Sequence, residues 1–317
     1  MSPLPSRREN FRDGLSGWQL ALSLFRGRLV PGIAWQRRFY RYKFMLRYLT
    51  THTYSAPWLE QLARCPLLTQ MLASQPGLPC KLHRPYLAAN MSAEKQLAAL
   101  RHHYDYIQRY LPQPLLDGHL SRDGFTLATL MAKNDRVFHL RLCSLDQLNR
   151  EGEATLLFCD DRNVMLAEMT FVITPERGAT LFIGGLQGGH RQLPHDAIHS
   201  ATKACHGLFP KRLVMEAVTH LGEKMGVTQI LAVGNRTHMY QEWRYFYKNK
   251  RFMHADYDNF WLSMSAQPQE QGYFSLPLSI SRKPLDNIPS KKRAEYRRRY
   301  GLLDQLAEQV TGHFQRT

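Results

Sequence analysis

The chain has 317 residues, 44% hydrophobic and 21% charged, which allows one large domain or two small ones and argues against wholesale disorder. A formal charge of +16 points to anionic partners (nucleic acid, anionic lipid, phosphorylated ligands), a basic surface serving solubility being the plain alternative. Five scattered cysteines with no C-x-x-C pair disfavour a disulfide framework and a cysteine zinc site. Apolar runs fall short of the ~18–20 residues that span a bilayer, so a cytoplasmic protein is expected, with contact to the inner membrane left open.

Residues 1–17 read as a flexible N-terminus, and 18–115 as a basic, aromatic-rich helical region. Between 14 and 59 stand seven cations (Arg26, Arg28, Arg37, Arg38, Arg41, Lys43, Arg47) and no acid, interleaved with Trp18, Phe25, Trp35, Phe39, Tyr40, Tyr42, Phe44 and Tyr48. That mixture suits an interfacial helix on anionic lipid, stacking and phosphate contacts on RNA, or helices that bury aromatics and solvate arginines. Three prolines and a glycine make 75–86 a connector. Leu97, Leu100, Tyr104, Ile107 and Leu111 recur at helical spacing, which predicts an amphipathic helix over 94–111.

From 124 the pattern becomes short apolar runs separated by turn residues, the signature of an antiparallel meander. A last strand runs into Gly184-Gly185-Leu186-Gln187-Gly188-Gly189, read as a turn whose amides could approach a phosphate. It is neither a Walker A loop nor G-x-G-x-x-G. Pro194 and Gly207 bracket a short helix carrying His195, His199 and His206, for which solvated histidines rather than a metal are expected. A strong helix follows over 210–225 and a fully covered strand over 228–233. Residues 116–265 are thus the α/β core. Residues 266–317 form a basic extension, with six cations and one acid between 291 and 299 and then a short helix through Leu302, Leu303, Leu306 and Val310.

Several residues at the strand ends carry candidate chemistry. Lys211 and Arg212 open the 210–225 helix, where an anion would meet the helix dipole. Glu216 with His220 four residues on could act as a base, an ordinary surface ion pair being the plain reading. Asn235, His238 and Tyr240 follow the last strand, then Tyr245, Tyr247 and Lys248. The aromatic–acid cluster Asp256, Tyr257, Asp258, Phe260, Trp261 is expected to pack into the core. No G-x-S-x-G elbow is present, so nucleophilic hydrolysis is disfavoured.

The segments HRPYLAANMSAE, LFIGGLQGG, ATKACHGLFPKRLVMEAVTHLGE, ILAVGNRTHMYQEWRY, HADYDNFW and SKKRAEYRRRYGLLD, in that order, resemble the VirK/YbjX family of enterobacteria. The resemblance implies a part in virulence, resistance to antimicrobial peptides and production of a surface virulence factor, and brings no reaction with it. Meander, strand, turn, helix, strand, Asn and aromatic helix are also similar to the GNAT acyltransferase superfamily. That similarity implies a mixed, mainly antiparallel sheet flanked by helices. It implies an acyl-CoA or acyl carrier protein thioester as donor, with the pyrophosphate at Leu186–Gly189 and a general acid among Tyr240, Tyr245 and Tyr247. The stretch Tyr247–Phe252 loosely resembles that fold's Tyr-x-x-x-Gly-Phe, while its Gln/Arg-x-x-Gly-x-Gly loop is missing and 188–210 is long.

The expected function is therefore an envelope-stress factor, acting by acyl transfer to an envelope component at the inner membrane. Gly185, Gln187, Gly188, Gly189, Lys211, Arg212 and Asn235 would hold a phosphorylated donor, and Glu216, His220 and Tyr240 would move protons. An RNA-binding regulator of a virulence message and a scaffold with a degenerate acyltransferase fold stand beside it.

Overall fold

Ser16 starts the first helix with a capping box: its hydroxyl accepts from the Gln19 N–H, and the Gln19 side chain accepts from the Ser16 N–H. The structure is a computed structural model and describes residues 14–189, 193, 195–241 and 256–315. The chain falls into two compact units, 1–83 and 84–317.

The first unit is helical: α1 (Gly17–Arg26), α2 (Ile33–Gln36), α3 (Arg38–Thr50), α4 (His52–Arg64), α5 (Leu68–Ser74) and a 3-10 turn over Leu78–His83. Leu20, Leu24, Trp35, Phe44, Tyr48 and Trp58 form its buried centre. Two indoles tie helices to the connector: Trp35 Nε1 donates to Pro76 O at 2.7 Å and Trp58 Nε1 to Leu78 O at 3.0 Å. A tryptophan can be buried because its single donor finds a carbonyl. The connector over 75–86 is in part that 3-10 turn.

The second unit opens with α6 (Ala93–Tyr110) and α7 (Gln113–His119) and then builds one sheet. Its strands are β1 (Phe125–Met131), β2 (Val137–Cys143), β3 (Ala154–Asp160), β4 (Met165–Thr174), β5 (Thr180–Gly188), β6 (Gln229–Val233), β7 (Gln267–Pro268) and β8 (Tyr273–Leu276). The order is β1-β2-β3-β4-β5-β6-β8-β7, antiparallel except for the parallel pair β5–β6. The crossover between that pair holds α8 (His195–Ala204) and α9 (Pro210–Lys224); α10 (Tyr257–Ser263) and α11 (Ser290–Phe314) complete the unit. Helices α6 and α9 pack against β4, which is buried along nearly its whole length. This is the expected α/β class, a mixed, mainly antiparallel sheet flanked by helices, with a basic helical N-terminal part.

Three local readings change. Gly184–Gly188 lie inside β5 rather than in a turn: Gly185 pairs with Thr170 and Gly188 with Ala167, and Gly184 is the extra residue of a bulge. The C-terminal helix is not short; its basic stretch from Ser290 is part of one 25-residue helix. Helix α6, grouped from sequence with the basic N-terminal region, packs on the sheet of the second unit.

Helix α11 also solves the edge problem of β1. Gln309 Oε1 accepts from Thr129 N at 2.9 Å, its Nε2 donates to Thr129 O at 2.8 Å, and His313 Nε2 reaches Leu127 O at 2.9 Å. Side chains thus satisfy backbone groups that an edge strand would leave open.

Candidate active site

The sheet opens where its two parallel strands part. Pairing between β5 and β6 ends at Ile183 with Ala232, while β5 continues five residues to Gly188. In α/β sheets ligands bind in such crevices at the carboxyl ends of strands. Past that point Leu186 N donates to the Tyr257 hydroxyl at 3.3 Å. Helix α10 is anchored there by Trp261, whose Nε1 donates to Val233 O at 2.8 Å. Asn235 clasps the same helix: its N–H donates to Asp258, its Nδ2 to Asp256, and its Oδ1 accepts from Tyr257 N.

Inside the crevice sits a buried cluster of titratable groups. Gly184 and Gly185 are glycines because the loop before β3 crosses them. A Cβ on Gly184 would strike the Glu151 carbonyl, and one on Gly185 the Glu151 carboxylate. Glu151 is 1% exposed, and Gln187 Nε2 donates to it at 3.2 Å. Glu168, also buried, is the cross-strand partner of Gln187. Burial, and for Glu151 the neighbouring Glu168, push the two carboxyls up to about 8 and about 7.

His238 faces Glu151. Its Nε2 is 3.7 Å from Glu151 Oε1 and 3.4 Å from the Tyr257 hydroxyl, and its ring stacks on Tyr257 with centroids 5.0 Å apart. Burial lowers its pKa to about 4, so the imidazole is neutral at pH 7. Nδ1 accepts from Tyr240 N, which places the ring proton on Nε2, facing Tyr257 and Glu151. The phenol oxygen therefore accepts from Leu186 and His238, leaving its own proton for another acceptor. Burial raises the Tyr257 pKa well above the ordinary range and keeps that proton in place.

The segment after His83 straps this site together. The Tyr86 hydroxyl donates to Glu153 at 2.6 Å, Leu87 N to Arg150 O, and Ala89 N to Thr237 O. Asn90 accepts from the Tyr273 hydroxyl and donates to Gln271 O. The loops carrying Glu151, His238 and the β8 hairpin are fixed by one strand-like piece.

The predicted residues divide. Gly185, Gln187 and Tyr240 belong to the cluster, Tyr240 with its ring 5.1 Å from that of His238. Gly185, however, makes room for Glu151 rather than for a phosphate. Side chains alternate along a strand, so the Gly188 position faces away from Gln187, and a Cβ there would lie 3.8 Å from Lys211 Cε. A Cβ on Gly189 would collide with Leu193. Lys211 is half-buried with its pKa lowered by burial, and its ammonium lies over the Phe260 ring. Asn235 is occupied by α10. Arg212 binds Glu216 Oε1 through Nε and Nη2 at 2.9 and 2.7 Å, so that buried carboxylate is paired within its own helix. His220 has its pKa lowered by burial and stands 4.0 Å from Glu223. Tyr245, Tyr247 and the rest of 242–255 lie outside the described residues, as does Pro194. Among the described residues no group of three His, Cys, Asp or Glu is placed to hold a metal.

Sequence reasoning missed Glu151 and Glu168 and assigned Tyr257 to packing. The signals were present: a lone acid inside the apolar run of β4, and two adjacent glycines in mid-strand, which demand a close neighbour. A hollow of about 320 Å³ between β1 and α11 is a weaker candidate, since Gln309 and His313 on its wall are engaged with the β1 backbone.

Comparisons with known proteins give one strong result. A family profile described as "Protein of unknown function (DUF535)" matches residues 34–312. "Uncharacterized protein YbjX" of Escherichia coli K12 is 44% identical over 99% of this chain and 95% of its own length. Two uncharacterized proteins of Haemophilus influenzae are also similar. One is 33% identical over 55% of this chain and 56% of its own length, the other 26% identical over 80% and 86%. Among solved structures, a mutant of a cAMP-binding acyltransferase from Mycobacterium smegmatis aligns at 10% identity with a TM-score of 0.28. It covers 70% of this chain and 61% of that chain, less than two thirds of its length, and carries no argument.

Proposed function

We propose a group-transfer function from one premise: the chain belongs to the VirK/YbjX family, described as a protein of unknown function (DUF535). The observation that supports it is the buried Glu151–His238–Tyr257 constellation, with Glu168 behind it, set where β5 parts from β6. Carboxyls that titrate near neutrality and a phenol held protonated are an acid–base pair for work at pH 7. The plain reading is a satisfied polar core, but a core has no need to keep two carboxyls mutually repelling.

In this reading the donor is an acyl thioester, whose acyl group replaces a proton on the acceptor's N–H or O–H as the thiol leaves. The Glu151/Glu168 pair, as carboxylate, takes the acceptor's proton. Tyr257 gives its proton to the departing sulfur and regains one from the carboxyl pair, which holds the proton taken from the acceptor. The Nε2–H of neutral His238 steadies the phenol oxygen. Gly188, Lys211 and the first turn of α9, whose Phe209 cap gives no side-chain bond, are the groups that fit a donor phosphate. The acceptor would be an envelope component, which fits the peptide resistance that the family resemblance implies, with the protein working at the inner face of the membrane. No helix among the described residues is long and apolar enough to cross that membrane.

The test is thermal stabilisation by coenzyme A and acyl-CoA, with ATP and polyphosphate as charge controls. A ligand at 100 times its Kd adds about 2.7 kcal/mol, an easily measured shift. A shift specific to the thioester and lost in Lys211→Ala supports acyl transfer. A shift with every polyanion, or with none, counts against it. Peptide survival restored equally by wild type and Glu151→Gln would remove Glu151 from the mechanism.

A second reading is favoured by the exposed cations Lys291, Lys292, Arg297 and Arg298 on α11. Their surface suits an RNA-binding regulator, whose affinity would fall with salt at a slope near −0.7 per phosphate contacted.

A further inference from the structure

Helix α3 is apolar on two opposite faces. At about 100° per residue, Phe44 and Tyr48 fall together and are buried in the first unit's centre. On the other side, within an arc of about 80°, fall Phe39, Tyr42, Leu46 and Leu49. These are 78%, 63%, 64% and 55% exposed. Tyr42 leans on Phe25 edge-to-face, and the rest of the stripe stands in solvent. Lys43 borders the stripe on one side and Arg38 on the other, both exposed. One apolar face is what packing requires; a second, four residues long and edged by cations, needs a different partner.

Charge identifies that partner. The seven cations between 14 and 59 have no acid among them. The first acid in line, Glu60, is already engaged by the Gly17 N–H at 2.6 Å and by Arg64 at 2.7 Å. Ile33, 78% exposed, and Trp18, 48% exposed, add apolar surface in the same unit.

We propose that this face of α3 docks the protein on an anionic lipid bilayer. Phe39, Tyr42, Leu46 and Leu49 enter the boundary between headgroups and acyl chains, while Arg38, Lys43 and neighbouring cations meet the lipid phosphates. Aliphatic Leu46, Leu49 and Ile33 offer no ring on which a nucleobase could stack, which disfavours RNA on this face. A second copy is disfavoured because symmetric pairing would bring two sets of cations together with no acid between them.

The experiment is co-sedimentation of the full chain with vesicles of phosphatidylcholine alone and of phosphatidylcholine mixed with phosphatidylglycerol. Wild type should bind the anionic vesicles at least about tenfold more tightly and release at high salt. The Phe39→Ser/Leu46→Ser variant alters only exposed positions, so it should keep its melting temperature while losing about tenfold in binding. Lys43→Glu should weaken binding to anionic vesicles alone. Equal binding to both vesicles, or an unchanged double variant, overturns the proposal. So does a double variant that loses single-stranded RNA binding or a dimer in place of vesicle binding. The acyl-CoA test bears on the crevice and the vesicle test on α3, so each can fail without the other.

Discussion

At the residue scale the site depends on one interlock, Glu151 over Gly184 and Gly185. Neither glycine has a positive φ, so the constraint is space and not backbone strain. Gly185→Ala should therefore destabilise by roughly 1–3 kcal/mol through overpacking against the Glu151 side chain. In a Glu151→Ala background the same change should cost far less, because the colliding carboxylate is gone. A double-mutant cycle by chemical denaturation measures that coupling, and additive effects would show that Glu151 does not occupy the glycine notch. The interlock was half legible. Two glycines within a buried strand announce a close approach, but Arg150-Glu151-Gly152-Glu153 reads locally as a polar turn. Only the sheet brings it over β5.

At the element scale, periodic segments were read well and irregular ones were not. Helix α9 was expected over 210–225 and runs Pro210–Lys224, because Leu213, Val214, Ala217, Val218 and Leu221 share one buried arc. The α11 boundary was missed because its first half, SKKRAEYRRRY, carries no apolar stripe; Tyr296–Arg299 and Tyr300–Arg282 contacts help hold it. That helix should guard the sheet edge. Gln309→Ala removes both bonds to Thr129 and should cost about 1–2 kcal/mol, with faster aggregation of the folded protein. Melting temperature and light scattering check this; unchanged values would mean that β1 needs no cover.

At the scale of the whole molecule the buried groups set the pH dependence of stability. His238 and His119 are both lowered by burial to about 4. The unfolded chain binds protons that they refuse, so stability is lost as pH falls from about 6.5 towards 4. Glu168 and Glu151 are raised to about 7 and about 8, so in the fold they keep protons that the unfolded chain releases near its ordinary 4.5. Their contribution is full below that value and lost as pH rises through 7 and 8. From pH 6.5 to about 8 both carboxyls lower stability as pH rises, each by up to ~1.4 kcal/mol per pH unit. The melting temperature should fall by several degrees between pH 6.5 and 8.5, and Glu151→Gln and Glu168→Gln should each flatten that fall. A wild-type curve already flat over this range would show that neither carboxyl is held protonated.

From the sequence alone came the class of fold, the main helices and strands, the family, and the strand ends as the place to look. Those rest on local periodicity and on motifs read within one stretch of chain, which residue spacing encodes directly. The membership of the site was decided by tertiary structure. Glu151, Glu168, His238 and Tyr257 come from a loop, a strand, a second loop and a helix, spread over more than a hundred residues of chain. Their pKa values arise from burial beside one another. No local pattern can report burial that exists only once distant segments close on each other.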